Sequence, residues 1–184
     1  MLITCGLPAS YKTTASEAVA KIKGFPILRS DLIRLEVLKN KDVFDVKVAG
    51  NMNNRLAVYD EVFCRADEYA RKGCGGLILD ATFVTQELRR RAAEIAAKNG
   101  LVFAILQTSC PQEVSLSIIK GRSKEKYTSN ALTEEAYFYN KNKFEPVDVD
   151  DLKKRYPSLK VMHLTIEACC DDIKSWSVIG LEKQ

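Results

Sequence analysis

The chain has 184 residues, of which 46% are hydrophobic and 28% charged, a globular composition that excludes both a disordered chain and a membrane-embedded bundle. A domain of this length buries enough surface to stand without disulfides or a structural metal. The formal net charge of +4 and the isoelectric point near 8.7 permit an anionic substrate. They fall short of a nucleic-acid footprint, which is marked by an isoelectric point above about 9 with clustered basic residues.

In chain order, the spacing predicts a short buried strand over residues 1–5 and a helix over 13–23 stopped by Gly24. A second short strand follows over 26–29 and a helix over 31–39, and residues 41–50 read as a surface loop. Over 51–72 the apolar positions Met52, Leu56, Tyr59, Phe63, Ala66 and Ala70 recur at alternating four and three, the period of a long amphipathic helix. Arg71, Lys72 and Gly73 supply its stop. A strand over 76–81 precedes a helix over 87–98, closed by Asn99 and Gly100, and an apolar strand over 101–107. Pro111 suits the first turn of a helix running to about residue 120. A polar, basic stretch over 121–130 leads to a further helix with Thr133 as its N-cap. A strand over 159–166 comes next, and the acidic pair Asp171-Asp172 suits the first turn of a final helix. Five strands separated by helical patterns imply βαβ units and a parallel sheet covered on both faces, one α/β domain over residues 1–184.

Cys5, Cys64, Cys74, Cys110, Cys169 and Cys170 contain no C-x-x-C pair, and His163 is the single histidine, a poor basis for a metal cage. They read as reduced thiols, several within apolar runs, with the adjacent pair Cys169-Cys170 kept as a candidate redox site. The N-terminal run lacks the basic and long apolar regions of a secretory signal, so a cytoplasmic protein is expected. No apolar stretch approaches the roughly 20 residues of a spanning helix, so no membrane partner is expected.

The strongest chemical signal is Gly6-Leu7-Pro8-Ala9-Ser10-Tyr11-Lys12-Thr13-Thr14, which leaves a strand and opens a helix, the context a phosphate-binding P-loop requires. Consecutive amides from Gly6 through Ala9, Ser10, Tyr11, Lys12, Thr13 and Thr14 would converge on a triphosphate. Lys12 would reach its β- and γ-phosphates, and the Thr13 hydroxyl would bind Mg²⁺. The bland alternative is a Gly-Pro turn followed by a helix that happens to carry a lysine. The pattern G-x-x-x-x-G-K-[ST] has its second glycine replaced by Tyr11. Two backbone states are open at Tyr11: a positive φ, which strains a tyrosine by about 1–2 kcal/mol and distorts the loop, or a helical negative φ, which is expected because Tyr11 directly precedes Lys12 at a helix start.

Asp31, in Arg29-Ser30-Asp31-Leu32-Ile33-Arg34, follows the second strand, and loops at the carboxyl ends of parallel strands surround the ligand crevice. It is a candidate general base for an acceptor hydroxyl; alternatively Ser30 and Asp31 merely cap a helix. Arg34, one turn later, is a candidate for an acceptor phosphate or carboxylate. Gly76-Leu77-Ile78-Leu79-Asp80 ends a strand in a carboxylate, the arrangement that supports Mg²⁺ beside a P-loop, although strand-end acids also form turns. Lys120, Arg122, Lys124 and Lys126 form a basic stretch, read as a lid over about 121–133 or as a solvated loop. Arg122 is its first candidate for phosphate, because a planar fork suits that geometry. Arg89-Arg90-Arg91 reads as a solvated helix face.

These residues together resemble a broad family of P-loop kinases, often labelled AAA-family ATPases, related to phage polynucleotide kinase and zeta toxin. The resemblance runs from about Leu2 to Asp148 and rests on GLPASYKTT, RSDLIR, LDATF, GRSKEK and FEPVD. It implies a five-stranded parallel sheet of order 2-3-1-4-5, with ATP and Mg²⁺ as cofactors. It further implies Asp31 as general base, Arg34 placing the acceptor, Asp80 supporting the metal and Arg122 on the transferred phosphoryl group. The acceptor is left open among nucleic-acid 5′ ends, nucleosides and sugars. The leading expectation is an ATP- and Mg²⁺-dependent phosphotransferase acting on a hydroxyl. Its rivals are a nucleotide-binding module or pseudokinase weakened by Tyr11, and a nucleic-acid end-binding protein that uses the basic lid without chemistry.

Overall fold

The computed structural model describes residues 1–73, 75–122 and 131–184. Cys74, Lys124 and Lys126, and most of the expected lid, lie outside the described residues. The elements are β1 (Leu2–Cys5), α1 (Lys12–Lys23), β2 (Ile27–Arg29), α2 (Ser30–Val37), α3 (Val46–Gly50), α4 (Met52–Arg71) and β3 (Ile78–Asp80). They continue with α5 (Gln86–Lys98), β4 (Phe103–Ser109), α6 (Gln112–Lys120), α7 (Glu134–Lys143), α8 (Val149–Arg155), β5 (Val161–Glu167) and β6 (Ser177–Lys183). The sheet runs β2-β3-β1-β4-β5-β6. Its first five strands are parallel in the expected order, with Leu2 beside both Ile78 and Ala104 in register.

β6 corrects the five-stranded expectation. It pairs antiparallel with β5, placing Leu181 opposite Leu164. The final helix expected after Asp171-Asp172 does not form beyond a single 3₁₀ turn at Ile173–Ser175, which Asp172 caps through the Lys174 amide. Trp176 then leaves in extended conformation. The β-branched pair Val178-Ile179 and Gly180 disfavour helix and suit a strand. Residues 41–50, expected as loop, also hold the short helix α3, capped by Asp45 through the amides of Lys47 and Val48. Asn51 caps α4 in the same way.

The core forms where α4, α5 and α8 cover the sheet. Val58, Val62 and Ala66 of α4 and Ala92, Ala93 and Ala96 of α5 pack with Ile3, Leu79, Phe103, Ile105 and Val161 of the strands. Tyr59, Phe63 and Ala66 of the stripe expected on α4 pack into this core, whereas Met52 and Leu56 at its start are exposed, so the helix lays an apolar face on the sheet only from its second turn onward. Thr85 and Thr133 cap α5 and α7 through the amides of Leu88 and Ala136.

The arginine triplet of α5 is not a solvated face. Arg89 is fully buried. It donates to the carbonyls of Phe83 at 3.0 Å, Pro146 at 2.8 Å and Glu145 at 2.6 Å, and to Gln86 Oε1 at 3.1 Å. Its guanidinium also lies 5.2 Å from the Phe144 ring centroid. Arg90 makes a two-pronged pair with Asp151, each contact 2.8 Å, and Arg91 pairs with Asp60. A planar donor fork satisfies carbonyls that would otherwise be buried without partners. Through it the segment 144–148 is clamped to the turn after β3, joined by Glu145 N to Val84 O at 2.8 Å and Gln86 Nε2 to Asp148 O at 2.8 Å.

Candidate active site

The loop between β1 and α1 is shaped by residues that tolerate unusual backbone. Gly6 has φ 143, and a Cβ there would stand 2.6 Å from the Thr108 carbonyl oxygen, so only glycine lets the loop pass this close to β4. Ala9 and Tyr11 are both left-handed, at φ 58 and φ 60. The expectation of a negative φ at Tyr11 is therefore corrected: Tyr11 is the N-cap of α1, outside the helix proper. The helix opens with Ala15 N to Tyr11 O at 3.0 Å, which leaves the amides of Tyr11, Lys12, Thr13 and Thr14 without intrahelical partners. Ser10 braces the loop with its hydroxyl, donating to Leu7 O at 2.8 Å and meeting Thr108 Oγ1 at 2.7 Å.

Lys12 folds back into this loop, with its Nζ on the Leu7 carbonyl and 3.4 Å from Ser10 Oγ. Burial pushes its ammonium group down to about 8; the carboxylates of Asp80 and Asp31 oppose that shift and Arg122 adds to it. Asp80 is 6% exposed and held on both oxygens. Thr4 Oγ1 donates to Oδ1 at 3.0 Å and Thr13 Oγ1 to Oδ2 at 2.7 Å. Thr4 also accepts from the Ala81 amide at 3.1 Å, fixing the end of β3 against β1.

Asp31 and Arg34 meet on α2, with Arg34 Nη1 3.1 Å from Asp31 Oδ1. Arg122, at the end of α6, donates to Ala131 O at 3.1 Å. Lys120 pairs with Glu134 at 3.0 Å, away from the loop residues. A cleft of about 780 Å³ takes in Ala9, Ser10, Tyr11, Lys12, Thr13, Thr14, Asp31, Arg34, Asp80 and Arg122 together. Every residue expected to bind the nucleotide, the metal or the acceptor lines it except Gly6, which packs against Thr108 and shapes the loop; Cys169 and Cys170, the candidate redox pair, do not line it.

Further residues line this cleft that motif spacing does not single out, among them Arg55, Tyr59, Thr82, Asn140 and Asp171. Arg55 of α4 donates to Asn140 Oδ1 of α7 at 3.1 Å and lies 5.4 Å from the Tyr139 ring centroid. Tyr59 accepts from the Phe83 amide at 3.1 Å and meets Thr82 Oγ1 at 3.3 Å. Its burial raises the phenol pKa. It supports a turn in which Phe83 adopts φ 43. Asp171, beyond β5, lies on the opposite side of the loop from Asp31. Tyr59 was visible in the sequence only as one apolar position of α4.

The residues present fit Mg²⁺. That ion takes one or two protein oxygens and keeps phosphate oxygens and waters for the rest, and Thr13 and Asp80 offer one hydroxyl and one carboxylate side by side. Among the described residues no group of three His, Cys, Asp or Glu side chains forms a self-contained metal cage. Cys5, Cys64, Cys110, Cys169 and Cys170 are free thiols. Among the described residues, no helix is long and apolar enough to cross a membrane.

Solved structures share this fold. A putative kinase from Chloroflexus aurantiacus matches with a TM-score of 0.66 at 16% identity, covering 91% of this chain and 87% of its own. A sugar kinase from Janibacter sp. matches with a TM-score of 0.60 at 17% identity, covering 89% and 83%. A gluconokinase from Sinorhizobium meliloti matches with a TM-score of 0.57 at 14% identity, covering 92% and 82%. No curated protein matches the chain significantly. The strand order, the P-loop and the match of residues 1–147 to the family described as AAA domain agree, and the chain belongs to that family of P-loop, kinase-type proteins.

Proposed function

We propose that the protein is an ATP- and Mg²⁺-dependent phosphotransferase acting on a hydroxyl acceptor, within one domain spanning residues 1–184. The observation that carries this reading is the gathering of Lys12, Thr13, Asp80, Asp31, Arg34 and Arg122 around a single cleft. The loop amides and Lys12 hold the β- and γ-phosphates. Thr13 and Asp80 hold the metal ion, which when bound supplies charge neutralisation on the phosphates. Asp31 takes the proton of the acceptor hydroxyl at a carboxylate oxygen, with Arg34 orienting that carboxylate at 3.1 Å and meeting an acceptor phosphate or carboxylate. Arg122 balances charge on the transferred phosphoryl group.

The sugar kinase and gluconokinase among the structural neighbours favour a sugar-type acceptor over a nucleoside or a nucleic-acid 5′ end. Transfer of label from γ-labelled ATP to a panel of aldonates, sugars, nucleosides and 5′-hydroxyl oligonucleotides tests the reading. Label should move to one acceptor class and should require Lys12 and Asp31. Tight ATP binding with no transfer to any hydroxyl would replace it with a nucleotide-binding module, the reading that the strained Tyr11 at the heart of the loop favours.

A further inference from the structure

The order β2-β3-β1-β4-β5 arranges the loops at the carboxyl ends of the strands in a line. Asp31 follows β2, the P-loop follows β1, and Asp171 follows β5, so Asp31 and Asp171 flank the P-loop on opposite sides of one cleft. In the function proposed above, the γ-phosphoryl group faces Asp31. The nucleoside is the other end of the triphosphate chain and is therefore directed toward the β4–β5 side. On that side the cleft is lined by Tyr11 and Asp171.

The Tyr11 ring does not stand alone there. Trp176, in the segment between β5 and β6, packs against it with ring centroids 5.8 Å apart and planes tilted by 54°. Trp176 is itself fixed by Nε1–H donating to the Cys170 carbonyl at 2.8 Å. Trp176 does not line the cleft; it backs the ring that does. Tyr11 occupies a left-handed backbone state at φ 60, which large side chains adopt only under local constraint and which concentrates at ligand-binding sites. Aromatic side chains bind planar bases by stacking, largely without regard to which base is present.

We infer that Tyr11, held in place by Trp176, is the stacking platform for the nucleobase of the bound nucleotide. Trp176 is a positioning residue for that ring. The inference rests on the P-loop reading above, and two probes separate the two claims: Mg²⁺-ADP, which carries a base, and Mg²⁺-tripolyphosphate, which does not. Trp176 is the chain's single tryptophan, so its fluorescence reports on the platform directly. Both probes should bind the full chain, and ADP should change the emission of Trp176 far more than tripolyphosphate does. Tyr11→Ala keeps a side chain at the same backbone position and removes the ring. It should weaken ADP binding about 5- to 100-fold while leaving tripolyphosphate within about twofold. Tyr11→Phe should bind both as the parent does, and Trp176→Ala should weaken ADP binding selectively, by less than Tyr11→Ala. Equal weakening of both probes by Tyr11→Ala, or tighter ADP binding, would overturn the platform and leave the P-loop reading standing. Failure of the unmodified protein to bind either probe would remove both.

Discussion

The two flanks of the P-loop are built from different chemistry. On the β2–β3 side stand Asp31, Arg34 and Asp80, charged groups held by short polar contacts: Asp80 by two threonine hydroxyls, Asp31 by an arginine one turn away. On the β4–β5 side stand Tyr11, packed against Trp176, and Asp171, with the indole donating to the Cys170 carbonyl. Fixed charges on one side suit the end of a ligand where bonds break. An aromatic wall on the other suits an end that needs only to be held. The division matches the polarity of a nucleoside triphosphate, and substitutions on the two flanks are expected to fail in different ways.

The largest effect belongs to the charged flank. Asp31→Asn preserves size and contact with Arg34 but removes the proposed proton acceptor, so phosphoryl transfer should fall by roughly 10²–10⁴-fold with Mg²⁺-ATP affinity nearly unchanged. Calorimetry alongside a transfer assay checks both halves. Normal transfer in this variant would reduce Asp31 to a helix-start residue and erase the chemical distinction between the flanks.

Arg89 supports the charged flank from beneath. Its guanidinium satisfies the carbonyls of Phe83, Glu145 and Pro146, and a buried polar group left without its partner costs about 1–3 kcal/mol. Arg89→Met, which fills the volume without donors, should lower unfolding stability by about 3 kcal/mol or more, read by chemical denaturation. It should also disorder the turn that carries Thr82 into the cleft and that Tyr59 of α4 supports. A variant as stable as the parent would mean that water satisfies those carbonyls instead.

Lys12 lies where the flanks meet, and its pKa near 8 is lowered mainly by burial. Only the ammonium form attracts phosphates, and bound phosphates stabilise it, so the folded protein takes up a proton on binding above that pH. Affinity for Mg²⁺-ADP should be level below about pH 8 and decline above it, by up to about tenfold per unit. The sign for folding is the reverse: a lysine whose folded pKa lies below its unfolded value of 10.5 disfavours the folded state most below pH 8. That cost fades as pH rises toward the unfolded value. Calorimetry in buffers of different ionisation enthalpy should show proton uptake at pH 8–9 that disappears in Lys12→Arg. Lys12→Ala should weaken binding by about 1.5–3 kcal/mol at neutral pH.

The charged flank was legible in the sequence because its residues sit at strand ends at fixed distances from the loop, where short spacing and three-dimensional position coincide. The order of the parallel strands followed from the same regularity. The aromatic flank was not legible. Trp176 and Tyr11 are 165 positions apart and meet because the chain after β5 turns back through a 3₁₀ turn into β6, where an acidic pair suggested a helix start. Arg89 was hidden for another reason. A triplet of arginines opposite an apolar stripe has the pattern of solvent exposure, and only the non-local segment 144–148 makes it a buried clamp. The negative φ expected at Tyr11 came from its place directly before Lys12 at a helix start, but the helix begins at Lys12 and leaves Tyr11 as its left-handed N-cap.

The smallest expected effect decides what Tyr11 is for. In Tyr11→Gly three changes in stability oppose one another. Relief of a left-handed non-glycine residue returns about 1–2 kcal/mol. Loss of the ring pair with Trp176 removes about 0.5–1.5 kcal/mol, and glycine's added freedom in the unfolded chain removes about 0.5–1 kcal/mol. The net change should lie between about 1.5 kcal/mol of lost stability and about 1 kcal/mol of gained stability on those figures. Tyr11→Ala retains the backbone strain and loses only the ring, so it should be less stable than the parent by about the ring pair alone, 0.5–1.5 kcal/mol. Denaturant midpoints for the two variants therefore separate strain from packing. If Tyr11→Gly is the more stable protein by well over 1 kcal/mol and Tyr11→Ala matches the parent, the contact with Trp176 contributes nothing to the fold. The aromatic flank would then be an accident of a strained loop, with no wall built beside the charged one.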